Sequence, residues 1–227
     1  MHIEELAKRI EHTILKPYAT LNDIKRYCEE AVKYGFRAVY VPPCYVKYAK
    51  DIVKGKGVLI GTVIGFPLGY TPTDIKVEEA IYVLREGADA IDIVMNIALF
   101  KSGRCKDVVN ELKEITDIAR RIKENVEVKV IIETSLLTEN EIIKATELVV
   151  ESKADYVKTC TGFGPRGVEI KDIRIIRKVL EEHNVYGKVK IKASGGIRTY
   201  TKALMLLKEG AHVLGTSTGV DIIKSKT

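Results

Sequence analysis

The feature that most constrains this chain is its repeated alternation of short β-rich runs with longer segments of helical periodicity. The clear strand candidates are Phe36–Val41, Val58–Gly65, Ala88–Met95, Glu127–Thr134, Asp155–Cys160, Lys188–Ser194 and Ala211–Thr216. A short eighth candidate, Glu11–Leu15, precedes them behind an amphipathic N-terminal helix over Met1–Ile10. Between the strands, Leu21–Tyr34, Thr73–Glu86, Lys106–Lys123, Thr138–Ser152, Ile170–Glu182 and Thr199–Glu209 carry apolar residues at three- and four-residue spacing, the signature of helices with one buried face. Capping signals agree: Thr138 stands three residues before Glu141, and Gly35, Gly87 and Gly210 follow the periodic segments.

Strands that alternate with helices pair in parallel. Eight such units within 227 residues predict an α/β fold of the (β/α)8 TIM-barrel type, with a short N-terminal helix and one domain over residues 1–227. An open doubly wound sheet needs a glycine-rich phosphate turn after its first strand. The residues there are Val41-Pro42-Pro43, which cannot form one.

Composition narrows the function. The net charge of +6 admits nucleic acid as a partner, but the basic residues are interspersed with glutamates, as in Arg120-Arg121-Ile122-Lys123-Glu124, and form no aromatic-lined stripe. A solvated surface and a small anionic substrate fit better. No apolar run reaches membrane-spanning length and the N-terminus has no apolar signal core, so a cytoplasmic protein is expected. Cys28, Cys44, Cys105 and Cys160 show no CxxC spacing, and His2, His12, His183 and His212 show no ligand spacing. Neither disulfides nor a metal is expected, and no cofactor. Glutamine is absent while lysine, glutamate and isoleucine abound, a bias that resembles proteins from hot environments.

In a barrel of this kind the chemistry lies at the C-terminal ends of the strands. Three ionisable residues interrupt otherwise apolar strands: Asp92 in Ala90–Asn96, Lys158 in Tyr156–Cys160 and Lys192 in Lys190–Ser194. Each alone is as consistent with an internal salt bridge as with catalysis; all three near one face favour function. At about 6 Å and an effective dielectric of ~20, two lysine charges repel by roughly 3 kcal/mol, which lowers one ammonium's pKa by about two units. A partly neutral lysine is an amine nucleophile, and Asp92 can compensate the charge of the other and pass protons.

Two glycine-bearing loops follow the last long strands, Ser194-Gly195-Gly196-Ile197-Arg198 and Gly215-Thr216-Ser217-Thr218-Gly219. Backbone amides there, with Arg198 and the hydroxyls of Ser217 and Thr218, suit a phosphate. Gly162-Phe163-Gly164-Pro165-Arg166-Gly167 matches GxGxxG, but it comes late and contains a proline, so a mobile substrate-covering loop is the expectation rather than a dinucleotide site. His12 is expected to be structural, although its place on the first strand also allows it to face the barrel.

Nearly the whole chain resembles the deoxyribose-phosphate aldolase family. The resemblance is carried by Glu11-His12-Thr13-Ile14-Leu15-Lys16-Pro17, Gly65-Phe66-Pro67-Leu68-Gly69, Ala90–Asn96, Lys129–Thr134, Val157–Phe163 and Lys192–Arg198. It implies a class I aldolase that cleaves 2-deoxyribose 5-phosphate reversibly to acetaldehyde and glyceraldehyde 3-phosphate. In that reading Lys158 forms the Schiff base, Lys192 tunes it and Asp92 relays protons. Thr161 and Gly162 join the substrate-binding residues, Glu11 and Lys129 support the inner charges, and a homodimer or homotetramer is expected. The chain departs from the family pattern where Glu11 replaces an aspartate, Cys160 a serine and Tyr40 a cysteine. The competing readings are another Schiff-base barrel aldolase with a different donor, and a phosphate-binding barrel isomerase or non-catalytic binding protein in which the lysines are structural.

Overall fold

The computed structural model describes residues 1–225. Eight parallel strands close into one barrel in sequence order: β1 (Ile10–Thr13), β2 (Ala38–Tyr40), β3 (Leu59–Ile64), β4 (Ala90–Val94), β5 (Glu127–Ile131), β6 (Tyr156–Lys158), β7 (Lys190–Ser194) and β8 (Val213–Thr216), with β8 pairing back onto β1. Around it run α1 (Ile3–Ala7), α2 (Leu21–Tyr34), α3 (Val46–Val53), α4 (Thr73–Arg85), α5 (Ile97–Lys101), α6 (Cys105–Ile122), α7 (Glu139–Glu151), α8 (Ile170–Glu182), α9 (Tyr200–Glu209) and α10 (Gly219–Lys224). The expected barrel is present, and α2 and α8 have the bounds their periodicity predicts.

The differences are local. The N-terminal helix is shorter than Met1–Ile10, because Ile10 already belongs to β1, aligned with Leu214 of β8. The β6 strand stops at Lys158: the Thr159 amide still donates to the Lys192 carbonyl, but the Cys160 amide turns to the Ser194 hydroxyl. Helix α3 had only a weak signal in Val46, Ala49 and Val53, which form its buried face. Helix α5 spans five residues, too few for periodicity to show; its cap is Asn96, whose side chain accepts from the Leu99 amide at 3.1 Å.

Alternation sorts the strands into two faces. Outward residues such as Ile60, Ile91, Val130, Val157, Ile191 and Leu214 join one apolar cluster with the helices. The inner apolar cluster is small: Ala38, Tyr40 and Ala90, with Leu59 against them. Tyr40 fills the axis because Gly61 opposite it has no side chain; a Cβ there would lie 2.3 Å from the Tyr40 ring. One device sets strand register three times. Asp89, Asp155 and His212 each stand beside the start of a strand and accept from a backbone amide of the preceding one, namely Ile60, Val128 and Ile191, at 2.8, 2.8 and 3.1 Å.

Candidate active site

Register brings the chemistry together. Lys158 and Lys192 are paired positions on β6 and β7, so both amines project into the barrel side by side. Beyond them the strands are stitched by two residues: the Thr159 hydroxyl donates to the Ser194 carbonyl (3.0 Å), and the Ser194 hydroxyl donates to the Cys160 carbonyl (2.5 Å). That reciprocal clamp fixes the two lysine-bearing backbones where a side-chain site needs them rigid.

Asp92 rises from β4 to meet both amines. Its Oδ2 accepts from Lys158 Nζ at 2.8 Å and from Lys192 Nζ at 2.6 Å, and all three side chains are buried. Burial alone pushes the Asp92 carboxyl up, but Lys158 and Lys192 more than offset it and hold it well below the usual carboxylate range. Below this triad Glu11 contacts Lys192 at 2.5 Å and Arg37 at 2.7 Å. The longer glutamate is accommodated by this reach across to Arg37. Burial raises its carboxyl, Lys129 and Lys192 lower it, and the net shift is downward. Lys129 hydrogen-bonds Glu127 (2.7 Å) and the Tyr40 hydroxyl (3.0 Å), and it keeps its proton with a pKa of about 12: burial opposes the charge, while Glu11, Asp92 and Glu127 favour it.

Lys192 behaves differently. Burial, aided by Lys158 and Lys129, outweighs the attraction of Asp92 and Glu11 and brings its pKa down to about 8. Its ammonium also lies 3.4 Å from the centroid of the Tyr40 ring, a cation–π contact. The mutual repulsion anticipated from sequence is therefore present, but burial is its larger companion and the lowered amine is that of Lys192.

Above the triad opens a cleft of about 360 Å³. Lys158 lines it together with Thr161, Gly162, Gly195, Gly196, Arg198, Gly215 and Ser217, which gathers these candidates from the sequence around one opening. Thr218 is the exception. Its amide donates to the Thr216 hydroxyl and its own hydroxyl to the Ile197 carbonyl, each at 3.1 Å, so it ties the two glycine loops together instead of facing the cleft. Sequence reasoning missed Lys16 and Tyr27 as lining residues. Lys16 lay within the motif around β1, while Tyr27 belongs to α2 and reaches the site only because its hydroxyl donates to the Ser217 carbonyl.

The Gly162–Gly167 loop covers one side of the cleft, but it is tethered, against the expectation of mobility. Buried Glu133 accepts from the Thr161 amide (2.9 Å) and hydroxyl (2.5 Å), and Arg166 forms a two-pronged pair with buried Asp172 at 2.7 and 3.0 Å. Phe163, at the exposed tip, meets the Phe66 ring edge-on at 5.3 Å. His12 does not enter the barrel: it faces α2, paired with Glu30 at 2.8 Å and stacked on Tyr27. All four cysteines are free thiols, and burial pushes that of Cys160 up to about 12, so it stays protonated near neutrality. Among the described residues no group of three or more His, Cys, Asp or Glu side chains is placed to hold a metal ion.

Residues 5–225 match the family model described as DeoC/LacD family aldolase. The chain belongs to that family. It is 48% identical over 222 residues to the deoxyribose-phosphate aldolase of Thermococcus gammatolerans, covering 97% of this chain and 96% of that one. The Thermococcus kodakarensis deoxyribose-phosphate aldolase is 47% identical, with 99% and 98% covered. Among solved structures, an aldolase named QR15 superposes with a TM-score of 0.90 at 40% identity (98% and 96% covered). A deoxyribose phosphate aldolase from Aeropyrum pernix, described as a unique tetramer, gives 0.91 at 32% identity (99% and 92% covered).

Proposed function

We propose that this chain is a class I deoxyribose-phosphate aldolase that cleaves 2-deoxyribose 5-phosphate reversibly to acetaldehyde and glyceraldehyde 3-phosphate. The observation that carries the reading is the placement of Lys158: of the two lysines held on one Asp92 oxygen, it is the one that reaches the open cleft. Lys192 is enclosed, and its amine changes protonation near neutral pH. Its neutral form is the base that accepts the Lys158 proton across the shared carboxylate as Lys158 attacks the carbonyl.

The Lys158 amine adds to the C1 aldehyde of the open-chain sugar, and loss of water gives a protonated imine. The C3 hydroxyl then gives its proton to the Lys192 amine, which has protonated the departing water, the C2–C3 bond breaks, and its electron pair is taken up by the imine to form an enamine. Glyceraldehyde 3-phosphate leaves. Protonation of the enamine carbon, from the Lys192 ammonium held on Asp92, restores an imine, and water releases acetaldehyde and the Lys158 amine. The phosphate lies between the two glycine loops, where Arg198, Ser217 and the amides of Gly195, Gly196 and Gly215 face the cleft. We place the protein in the cytoplasm as one catalytic barrel domain assembled into a homo-oligomer, a reading supported by the tetrameric relative.

The test is to incubate the protein with acetaldehyde, reduce with borohydride and map the modified peptide by mass spectrometry. A two-carbon adduct on Lys158, absent from Lys158→Leu, is expected. A folded protein with no adduct at that residue excludes acetaldehyde as the donor.

A further inference from the structure

The barrel axis has a second mouth. At its N-terminal end, opposite the cleft, lies a cavity of about 550 Å³ whose lining includes Lys8, Arg9, Arg37, Lys190 and His212 and one carboxylate, Glu5. The charges there are not equally committed. Arg37 is neutralised by Glu11 and Glu127, and Glu5 is turned to the amide of His2. Arg9 donates only to the His212 carbonyl, at 3.2 Å. Lys190 meets the Tyr156 ring at 5.5 Å. Among the described residues, neither Lys8, Arg9 nor Lys190 is in an ion pair.

Lys190 owes this position to the strand pattern: it is two residues before Lys192 on β7 and points the same way, one layer nearer the mouth. A lysine at the end of a barrel strand has water on one side only, and a counter-charge is the ordinary companion of such a group. The interior beneath offers none in surplus, since Glu11, Asp92 and Glu127 already face Lys129, Lys158, Lys192 and Arg37. The positive field is felt by His212, whose pKa is lowered by burial first and then by Lys190 and Arg9.

We propose that this N-terminal mouth is a second binding site, distinct from the aldol cleft, for a small multivalent anion bearing phosphate or carboxylate groups. Lys8, Arg9 and Lys190 supply the charge, and the Tyr156 hydroxyl supplies a neutral donor. The cavity has room for a molecule of the size of citrate or a sugar phosphate, and its position leaves the aldol cleft unobstructed.

The test uses the full chain and two probes, inorganic pyrophosphate and citrate, titrated calorimetrically at fixed ionic strength. The comparison is with the double variant Lys8→Gln, Lys190→Gln, whose melting temperature and KM for deoxyribose phosphate establish that the fold and the aldol cleft are intact. Binding of at least one probe to the wild type, weakened about tenfold or more in the double variant at unchanged KM, is the expected result. Equal binding by both proteins would place the anion elsewhere, the aldol cleft first, and would overturn the proposal. So would the absence of binding by the wild type at concentrations up to roughly 10 mM, a Kd too weak for a built site. Neither outcome bears on the aldol reaction, which is read by the Lys158 adduct.

Discussion

The two faces of the barrel strands are equally buried and do opposite work. On the outer face Ile60, Ile91, Val130, Ile191 and Leu214 are fully enclosed against the helices, and their burial stabilises the fold at roughly 25 cal/mol per Å² of apolar surface. On the inner face Glu11, Asp92, Lys129, Lys158 and Lys192 are enclosed to the same degree, where an apolar filling would be the more stable choice. Charge is tolerated inside because each group meets an opposite one. Strand alternation thus lets one β-strand pack on one side and carry buried charge on the other, with adjacent residues such as Ile91 against the helices and Asp92 holding Lys158 and Lys192.

The largest expected effect breaks the inner face at Lys158. Replacing Lys158 with methionine removes the proposed nucleophile from the cleft, and turnover should fall by about 10⁴-fold or more. The fold should survive, since Asp92 retains Lys192 as a partner. A steady-state assay with a thermal melt checks both; a Lys158→Met protein retaining about a tenth of wild-type kcat would remove the covalent mechanism.

Neighbouring residues give the sharpest contrast. Asp92→Asn leaves two buried amines without their shared carboxylate. We expect kcat to drop by about 10²–10³-fold and stability to fall by about 3–5 kcal/mol. Ile91→Ala, one residue away and facing the helices, should cost about 2–5 kcal/mol through its cavity, while the folded fraction keeps kcat within about twofold. Denaturant titration beside initial rates separates the two. Should Ile91→Ala cut kcat as deeply as Asp92→Asn, the division of labour between faces fails.

The same division explains what was legible in the sequence. The outer face announces itself through β-branched runs and the helices through their periodicity, so the barrel and its strand order follow from pattern alone. Asp92, Lys158 and Lys192 stood out because charge interrupts those runs. The Arg166–Asp172 and Glu133–Thr161 tethers were not legible, because they join residues whose approach depends on loop paths rather than on period. Thr218 was misplaced for a related reason: its loop was right, but sequence does not show which of three consecutive hydroxyl residues stays out of the cleft, since Thr216 and Thr218 both donate to the Ile197 carbonyl and only Thr216 also lines the cleft. Tyr40 was visible only as a departure from a family pattern, and its partner Gly61 is legible only once β2 and β3 are in register.

A smaller effect concerns protons. Lys192 titrates near 8 inside the fold, against 10.5 for an ordinary lysine. Between those values the unfolded chain binds more protons than the folded one, so this residue makes stability rise with pH across the window. Its contribution is complete above 10.5 and is lost as pH falls through about 8, in total about 3 kcal/mol. Denaturation of wild type and Lys192→Met between about pH 7.5 and 10.5 should show the difference between them moving in favour of the wild type as pH rises. A difference that stays flat would mean that Lys192 keeps an ordinary lysine pKa.

The smallest effect probes the one place where the inner face behaves as a packed core. Gly61→Ala puts a methyl group within 2.5 Å of three ring atoms of Tyr40. The ring cannot swing freely, because its hydroxyl accepts from Lys129 and its face carries Lys192. Overpacking of this kind costs about 1–3 kcal/mol. Shortening the opposing side chain removes the clash, so Tyr40→Leu should be tolerated better in the Gly61→Ala background than beside the native glycine, with a coupling of about 1 kcal/mol in a double-mutant cycle. Additive effects would show instead that strands β2 and β3 yield to make room, and that the axis of the barrel is softer than its charged network implies.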